Sequence, residues 1–203
     1  MRQLNNMPPK LYVRTLIIFV FLIFFSCNTD HQTVSRKITS KVISLSNFNS
    51  SKIEINNNGK GKVIFTLDPE CPLCQSYTKE INSLFQKYNE HIDFINVFPS
   101  KEYNLKKIKD FNQKNHLYIP NIIDTNQIVT NYLDAQVTPE CFLLDSNLNI
   151  LYSGLINDWI KEIGRKGQTI NNHYLNDNIT LFLEKKSIII NKTKAIGCII
   201  QKN

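Results

Sequence analysis

Two cysteines two residues apart, Cys71-Pro72-Leu73-Cys74, lie where a strand signal gives way to a helix signal. That junction suits thiol chemistry. A first cysteine at a helix N-terminus meets free N–H groups and the positive end of the macrodipole, and both favour a thiolate. A second cysteine one turn on is close enough to close a small disulfide ring. Such a pair can exchange electrons with a substrate disulfide through a mixed disulfide. Pro72 stiffens the turn and suits the first helical position. Two plainer readings compete: a static disulfide, or half of a zinc site. Zinc needs a second Cys or His pair at ligand spacing, and His91, His116 and His173 supply none. The balance favours a redox pair, with Cys71 attacking and Cys74 resolving.

The surrounding elements must hold that pair. Lys62 to Leu67 (KVIFTL) is a β-branched and aromatic run, read as a buried central strand. Asp68-Pro69-Glu70 breaks it. Leu73, Tyr77, Ile81, Leu84, Phe85 and Tyr88 then recur at helical spacing. His91 to Phe98 reads as a strand, Asn104 to Asn115 as a helix, and Tyr118 to Ile123 as a short strand. Asn126 to Leu133 reads as a short helix. Glu140 to Leu144 and Asn149 to Tyr152 form a hairpin about Asp145-Ser146-Asn147, and Tyr174 to Lys185 is the last helix. Two short strands are expected earlier, at Lys41 to Leu45 and Lys52 to Ile55. Strands alternating with helices imply an α/β fold, a mixed central sheet with helices on both faces.

Residues 1–26 read as an export signal. Lys10 and Arg14 are basic, and Thr15 to Phe25 is an unbroken apolar run, shorter than the roughly 20 residues a spanning helix needs. Ser26-Cys27 follows at once, and a small residue before Cys at the end of such a run resembles the lipobox of bacterial lipoproteins. Cys27 is therefore the expected lipidation site. Residues 27–40 are polar and suit a tether. The expected divisions are a signal at 1–26, a tether at 27–40, a globular domain at 41–186 and a tail at 187–203. The expected location is the cell envelope, facing the periplasm or exterior, where disulfides persist.

The chain has 203 residues with 24 Lys and Arg against 17 Asp and Glu, a net charge of +7. Nucleic acid is not an expected partner. Arg, suited to phosphate forks, occurs only at positions 2, 14, 36 and 165. Lys106-Lys107-Lys109 and Lys185-Lys186 read as solvated helix faces.

Val137-Thr138-Pro139-Glu140, just ahead of the hairpin, is the second chemical signal. Together with Cys71-Pro72-Leu73-Cys74-Gln75-Ser76-Tyr77, Phe142-Leu143-Leu144-Asp145, Leu151-Tyr152-Ser153-Gly154-Leu155-Ile156 and Thr193-Lys194-Ala195-Ile196-Gly197-Cys198-Ile199-Ile200, it resembles the thioredoxin-like redoxins. These are the peroxiredoxin-related branch of the thioredoxin superfamily, and the last segment is similar to a Gly-Cys tail found in exported members. The resemblance spans about 62–200. It implies a thioredoxin-like fold, Cys71 as nucleophile, Cys74 as resolving thiol and Pro139 as a cis proline. Beside such a proline, Thr138 would keep its backbone free to hold an extended substrate as an added strand. The chain departs from the pattern at three places. Glu70 stands where thioredoxins carry Trp, and Phe65 near their buried acid. Asp68 replaces the Thr that peroxiredoxins place three residues before their cysteine, so peroxidase activity is not expected.

Cys141 reads as a buried core thiol. Cys198 has several readings: a packed small side chain, a disulfide partner for Cys141, a relay thiol near the Cys71–Cys74 pair, or a metal ligand. The apolar tail around it is expected to dock on the domain. Trp159 reads as a packing or lid residue, and Gly164-Arg165-Lys166-Gly167 as a surface loop near the active-site side. The expected function is a membrane-tethered thiol–disulfide oxidoreductase. It would need no cofactor or metal, would act on protein or small-molecule disulfides and thiols, and would draw electrons from a membrane thiol relay. Its rivals are a thioredoxin-fold protein binding Cu(I) through cysteine thiolates and a lipoprotein that only binds.

Overall fold

The computed structural model describes residues 43–46 and 52–203. The export signal, Cys27 and the whole of the tether lie outside the described residues. Two short strands, β1 (Ile43–Ser46) and β2 (Lys52–Ile55), form an antiparallel pair. The central sheet follows from β3 (Gly61–Thr66), β4 (Ile92–Phe98), β5 (Asn121–Ile123), β7 (Glu140–Leu144) and β8 (Ile150–Gly154), in the order β5-β4-β3-β7-β8. β3, β4 and β5 run parallel, and β7 and β8 turn back antiparallel. The helices are α1 (Pro72–Tyr88), α2 (Leu105–Asn115), α3 (Ile128–Leu133) and α4 (Tyr174–Leu183). This is the mixed sheet with flanking helices of the thioredoxin-like fold.

Side chains alternate across a strand, and the sheet uses that period to fill two cores. Val63, Phe65, Phe94, Phe98, Cys141 and Leu143 face a cluster that includes Ile81 and Leu84 of α1, Phe111 of α2 and Ile179 of α4. Their neighbours Ile64, Ile95, Val97, Phe142 and Leu144 face the other cluster, closed by Val129 and Leu133 of α3 and by Ile200 of the tail. Every residue of β3 is buried, including Lys62 at 2% exposure. Its ammonium is held by Asp93 at 3.1 Å and Asn58 at 2.9 Å. Burial acts to raise the Asp93 carboxyl, but hydrogen bonds from Asn58 and Lys62 outweigh it and hold the group below its ordinary range.

Several boundaries differ from the sequence expectation, each for a local reason. α3 starts at Ile128 because Gln127 is left-handed (φ 52°), and Asp124 caps the helix through the N–H groups of Ile128 and Thr130. α4 ends at Leu183 rather than Lys185, and Lys185 has φ 56°. The stretch around Gly164 is not a plain loop but a small hairpin of β9 (Ile160–Glu162) and β10 (Arg165–Lys166). The last difference concerns the tail, where β6 (Val137–Thr138) pairs antiparallel with β11 (Cys198–Ile199).

The tail is fastened along its length. Thr193 N–H donates to Ser153 O, and Thr193 Oγ1 accepts from Leu155 N–H at 2.8 Å and pairs with the Tyr152 hydroxyl. Thr193 can approach β8 so closely because Gly154 has no side chain. A Cβ there would sit 2.9 Å from the Thr193 carbonyl carbon, and its φ of +132° suits glycine alone. Beyond β11, Ile200 N–H donates to Gln136 O, Gln127 Nε2 to Gln201 O, and Lys202 Nζ to Ala135 O. Ile199 is 77% exposed, so Ile196 and Ile200 carry the apolar contact of this segment.

Replacing Asp93 by Ala should lower stability by about 1–3 kcal/mol, because Lys62 then keeps a buried ammonium with only Asn58 as partner. Urea denaturation of the variant against wild type reads this out. An unchanged midpoint would show that the ammonium finds water instead.

Candidate functional site

Cys71 is the N-cap of α1, with Pro72 in the first turn. It caps the helix with its backbone and not with its side chain. β3 delivers it to the C-terminal edge of the sheet through Asp68-Pro69-Glu70. There Asp68 Oδ1 accepts from Glu70 N–H at 2.7 Å, and Cys71 N–H donates to Asp68 O at 3.2 Å. From the far side comes the loop between α3 and β7. Its Thr138–Pro139 peptide is cis. Thr66 Oγ1 donates to Val137 O at 2.9 Å and ties this loop to the end of β3. Cys71 Sγ therefore lies 3.3 Å from the Thr138 carbonyl oxygen.

Cys71 is not bonded to Cys74 in this structure. A disulfide joins Cys71 to Cys198, with Cα atoms 6.3 Å apart, and Cys74 and Cys141 are free and buried. Cys71 is only 2% exposed, because the tail covers it. The Cys141–Cys198 pairing also drops out. Cys141 sits inside the sheet, its Sγ 3.3 Å from Gly154 O, while Cys198 lies on the strand added to β6.

The thiols differ sharply in environment. Burial pushes the Cys74 thiol up to about 12. The Asp68 N–H, 3.4 Å from Cys74 Sγ, and the Thr138 side chain oppose that shift, whereas the Asp68 carboxylate adds to it. Burial, reinforced by Glu140, likewise pushes Cys141 well above its ordinary value of 9.0. Both are protonated at neutral pH. Burial also raises Glu140 itself, against the Gln136 N–H that donates to its Oε2 at 2.9 Å.

The acidic residues beside the motif are partly offset. Glu70 pairs with Lys107 of α2 at 2.8 Å. Asp68 takes a hydrogen bond from the Tyr103 hydroxyl, whose ionisation is raised first by burial and then by that bond. Tyr103 went unnoticed in the sequence, since no spacing links it to the cysteines. On the other flank, Trp159 stacks edge-on against Tyr77 at 5.8 Å and so packs the core side of α1. The β9–β10 hairpin forms one wall of an apolar hollow of about 340 Å³, with Leu73, Ile160, Ile163, Arg165 and Cys198 among its lining. The Gly164 segment thus reaches the site as expected, though as a hairpin.

The Redoxin family model matches residues 33–162, more than half of the chain. The chain belongs to the Redoxin family. Among solved structures, this Redoxin is similar to an uncharacterised conserved protein of Geobacillus kaustophilus, with TM-score 0.71 and 18% identity over 81% of this chain and 90% of that one. A hypothetical protein of Sinorhizobium meliloti 1021 matches with TM-score 0.69 and 16% identity, over 81% and 92% of the two chains. The C-terminal domain of a putative thiol-disulfide oxidoreductase of Bacteroides thetaiotaomicron matches with TM-score 0.55 and 18% identity, over 72% and 94%. At these identities the likeness is one of fold.

The buried Cys74 predicts a stability change at high pH. Its thiol ionises at about 12 in the folded protein against an ordinary value of 9.0. The unfolded chain thus loses its proton first as pH rises. The stabilisation is complete below pH 9 and erodes between there and about 12. Cys74→Ala should make the pH dependence of the denaturation midpoint shallower over that window. A profile parallel to that of wild type would show that Cys74 ionises alike in both states.

Proposed function

We propose that this Redoxin is a membrane-tethered thiol–disulfide oxidoreductase in which Cys71 is the nucleophile. The observation that supports this best is Cys71 at the N-terminus of α1, opposite the cis Thr138–Pro139 peptide, its sulfur 3.3 Å from Thr138 O. The helix terminus favours the thiolate form of the reduced cysteine, and the β6 backbone, paired with the tail in this structure, can accept an extended partner once the tail leaves it. A thiolate at Cys71 attacks one sulfur of a substrate disulfide, forms a mixed disulfide and releases the first substrate thiolate. A second thiol of the protein then attacks Cys71 and frees the other half. Cys74 is the partner that the motif suggests.

The family resemblance fits the peroxiredoxin-related branch without peroxidase chemistry, since Asp68 occupies the place of the Thr three residues before the cysteine. The name of the Bacteroides thetaiotaomicron neighbour agrees with disulfide exchange. Electrons would come from a membrane thiol relay, and the substrate would be a protein or small-molecule disulfide. The Cu(I) reading has less support. Among the described residues, no three of His, Cys, Asp and Glu gather as a metal site. Tethering rests on Ser26-Cys27 after the apolar run, which places the lipid at Cys27 and the domain outside the cytoplasmic membrane.

Insulin disulfide reduction with dithiothreitol as donor tests the activity. Cys71→Ser should lose at least about a hundredfold, because no other thiol sits at the helix start. Retention of the rate would remove Cys71 as nucleophile. For the tether, Cys27→Ala should move the full-length protein from the detergent to the aqueous phase. Unchanged partitioning would refute lipidation at that residue.

A further inference from the structure

The position of the tail bears on which thiol follows Cys71. β11 pairs with β6 in the register Cys198↔Thr138 and Ile199↔Val137. That is the backbone edge on which an extended substrate would lie. The residue before the cysteine is Gly197, and the fit depends on it. A Cβ there would lie 2.7 Å from the Thr138 carbonyl carbon and closer still to its oxygen, so any side chain would push the tail off β6. Thr193 anchors one side of the segment, and Ile200, Gln201 and Lys202 anchor the other. Reduction of the disulfide therefore leaves Cys198 beside Cys71 rather than loose in solvent.

We propose that Cys198 is the resolving thiol of this site, held next to Cys71 by the docked tail, and that Gly197 is the positioning residue that permits the docking. This rests on the reading of Cys71 as nucleophile and replaces Cys74 in the second step. Cys71 thiolate attacks the substrate disulfide, forming Cys71–S–S–R and releasing one R–S⁻. Cys198 thiolate then attacks the Cys71 sulfur. The Cys71–Cys198 bond forms, the mixed disulfide breaks, and the second R–S⁻ leaves and takes a proton from water. The substrate has gained two electrons and the protein dithiol has lost two. An external dithiol returns them and restores both thiols.

The environments of the two rivals support this order. Cys198 is partly exposed and borders the apolar hollow, open to an incoming group. Cys74 is fully buried. Burial pushes its ionisation up to about 12, so Cys74 is held as the neutral thiol at pH 7. Buried neutral thiols are poor attackers.

The test uses reduced full-length protein and the aromatic disulfide DTNB at pH 7. Wild type should release two equivalents of thionitrobenzoate, one on labelling Cys71 and one when the second thiol expels the adduct. Cys198→Ser should slow the second release by at least about tenfold and accumulate a mixed disulfide on Cys71, visible by intact mass. Cys74→Ser should leave the second release within about twofold of wild type. Gly197→Ala keeps both thiols but displaces the tail, so its oxidised form should shift from Cys71–Cys198 towards Cys71–Cys74 on peptide mapping after acid quench. A purely structural glycine would change stability without moving that partition. The reverse pattern, with Cys74→Ser stalling the adduct and Cys198→Ser resolving it normally, would overturn the proposal while leaving Cys71 as nucleophile. If Cys71 takes no adduct in any variant, both readings fall.

Discussion

The backbone of Thr138 is the constraint on which the site depends. Its carbonyl faces Cys71 Sγ at 3.3 Å, its strand pairs with Cys198, and its peptide plane lies against the bare Cα of Gly197. Each contact needs the others. β6 lies outside the central sheet, in a two-stranded sheet with the tail strand β11. Thr66 fixes Val137 to the end of the central strand, so the edge and the helix start that carries Cys71 are referred to one rigid strand, β3. Two sulfurs can meet only because three separate segments are registered to that same frame.

The central sheet was legible because its code is local. Val63 and Phe65 alternate with Ile64, a full apolar run marks a strand buried on both faces, and the helical spacing from Leu73 to Tyr88 is unambiguous. The motif at 71–74 was legible for a related reason: Pro and the break at Asp68-Pro69-Glu70 mark the helix start. Boundaries failed where a single side chain decided them. The onset of α3 belongs to the carboxylate of Asp124, which lies outside the helix.

The partner of Cys71 was not legible, and the reason is sequence distance. The disulfide closes a separation of 127 residues. No periodicity spans that interval, so spacing alone favoured Cys74. Two local signals did exist in the tail: its apolar character after the last helix, and Gly directly before Cys198. The first says the segment must dock. The second says that a backbone comes close at that point. Neither names the surface it meets. That information lies in β6, whose two residues were too few to read as a strand.

The docking also explains an otherwise uneconomical arrangement around Cys74. A thiol intended to attack at neutral pH gains from exposure or a nearby cation, whereas Cys74 has complete burial and the Asp68 carboxylate near it. Lys107 is committed to Glu70. Cys74 therefore suits a packing position under the site, contributing to the core beneath α1, more than it suits rapid attack. Cys198 has the opposite character: it is poor as core and well placed as a nucleophile. Its strand is followed by Ile200, which fills the second hydrophobic cluster, and preceded by Thr193, pinned against Gly154. On the proposed reading, the apolar contacts that hold the tail serve the sulfur chemistry. They limit where Cys198 can travel once its bond to Cys71 is reduced, and a thiol kept at its target reacts as if at high concentration. The same strand occupies the edge that an extended polypeptide would need. On the proposed reading, access for a substrate runs through the hollow between Leu73, Ile160 and Cys198 while the tail is docked, and through β6 only when it is not.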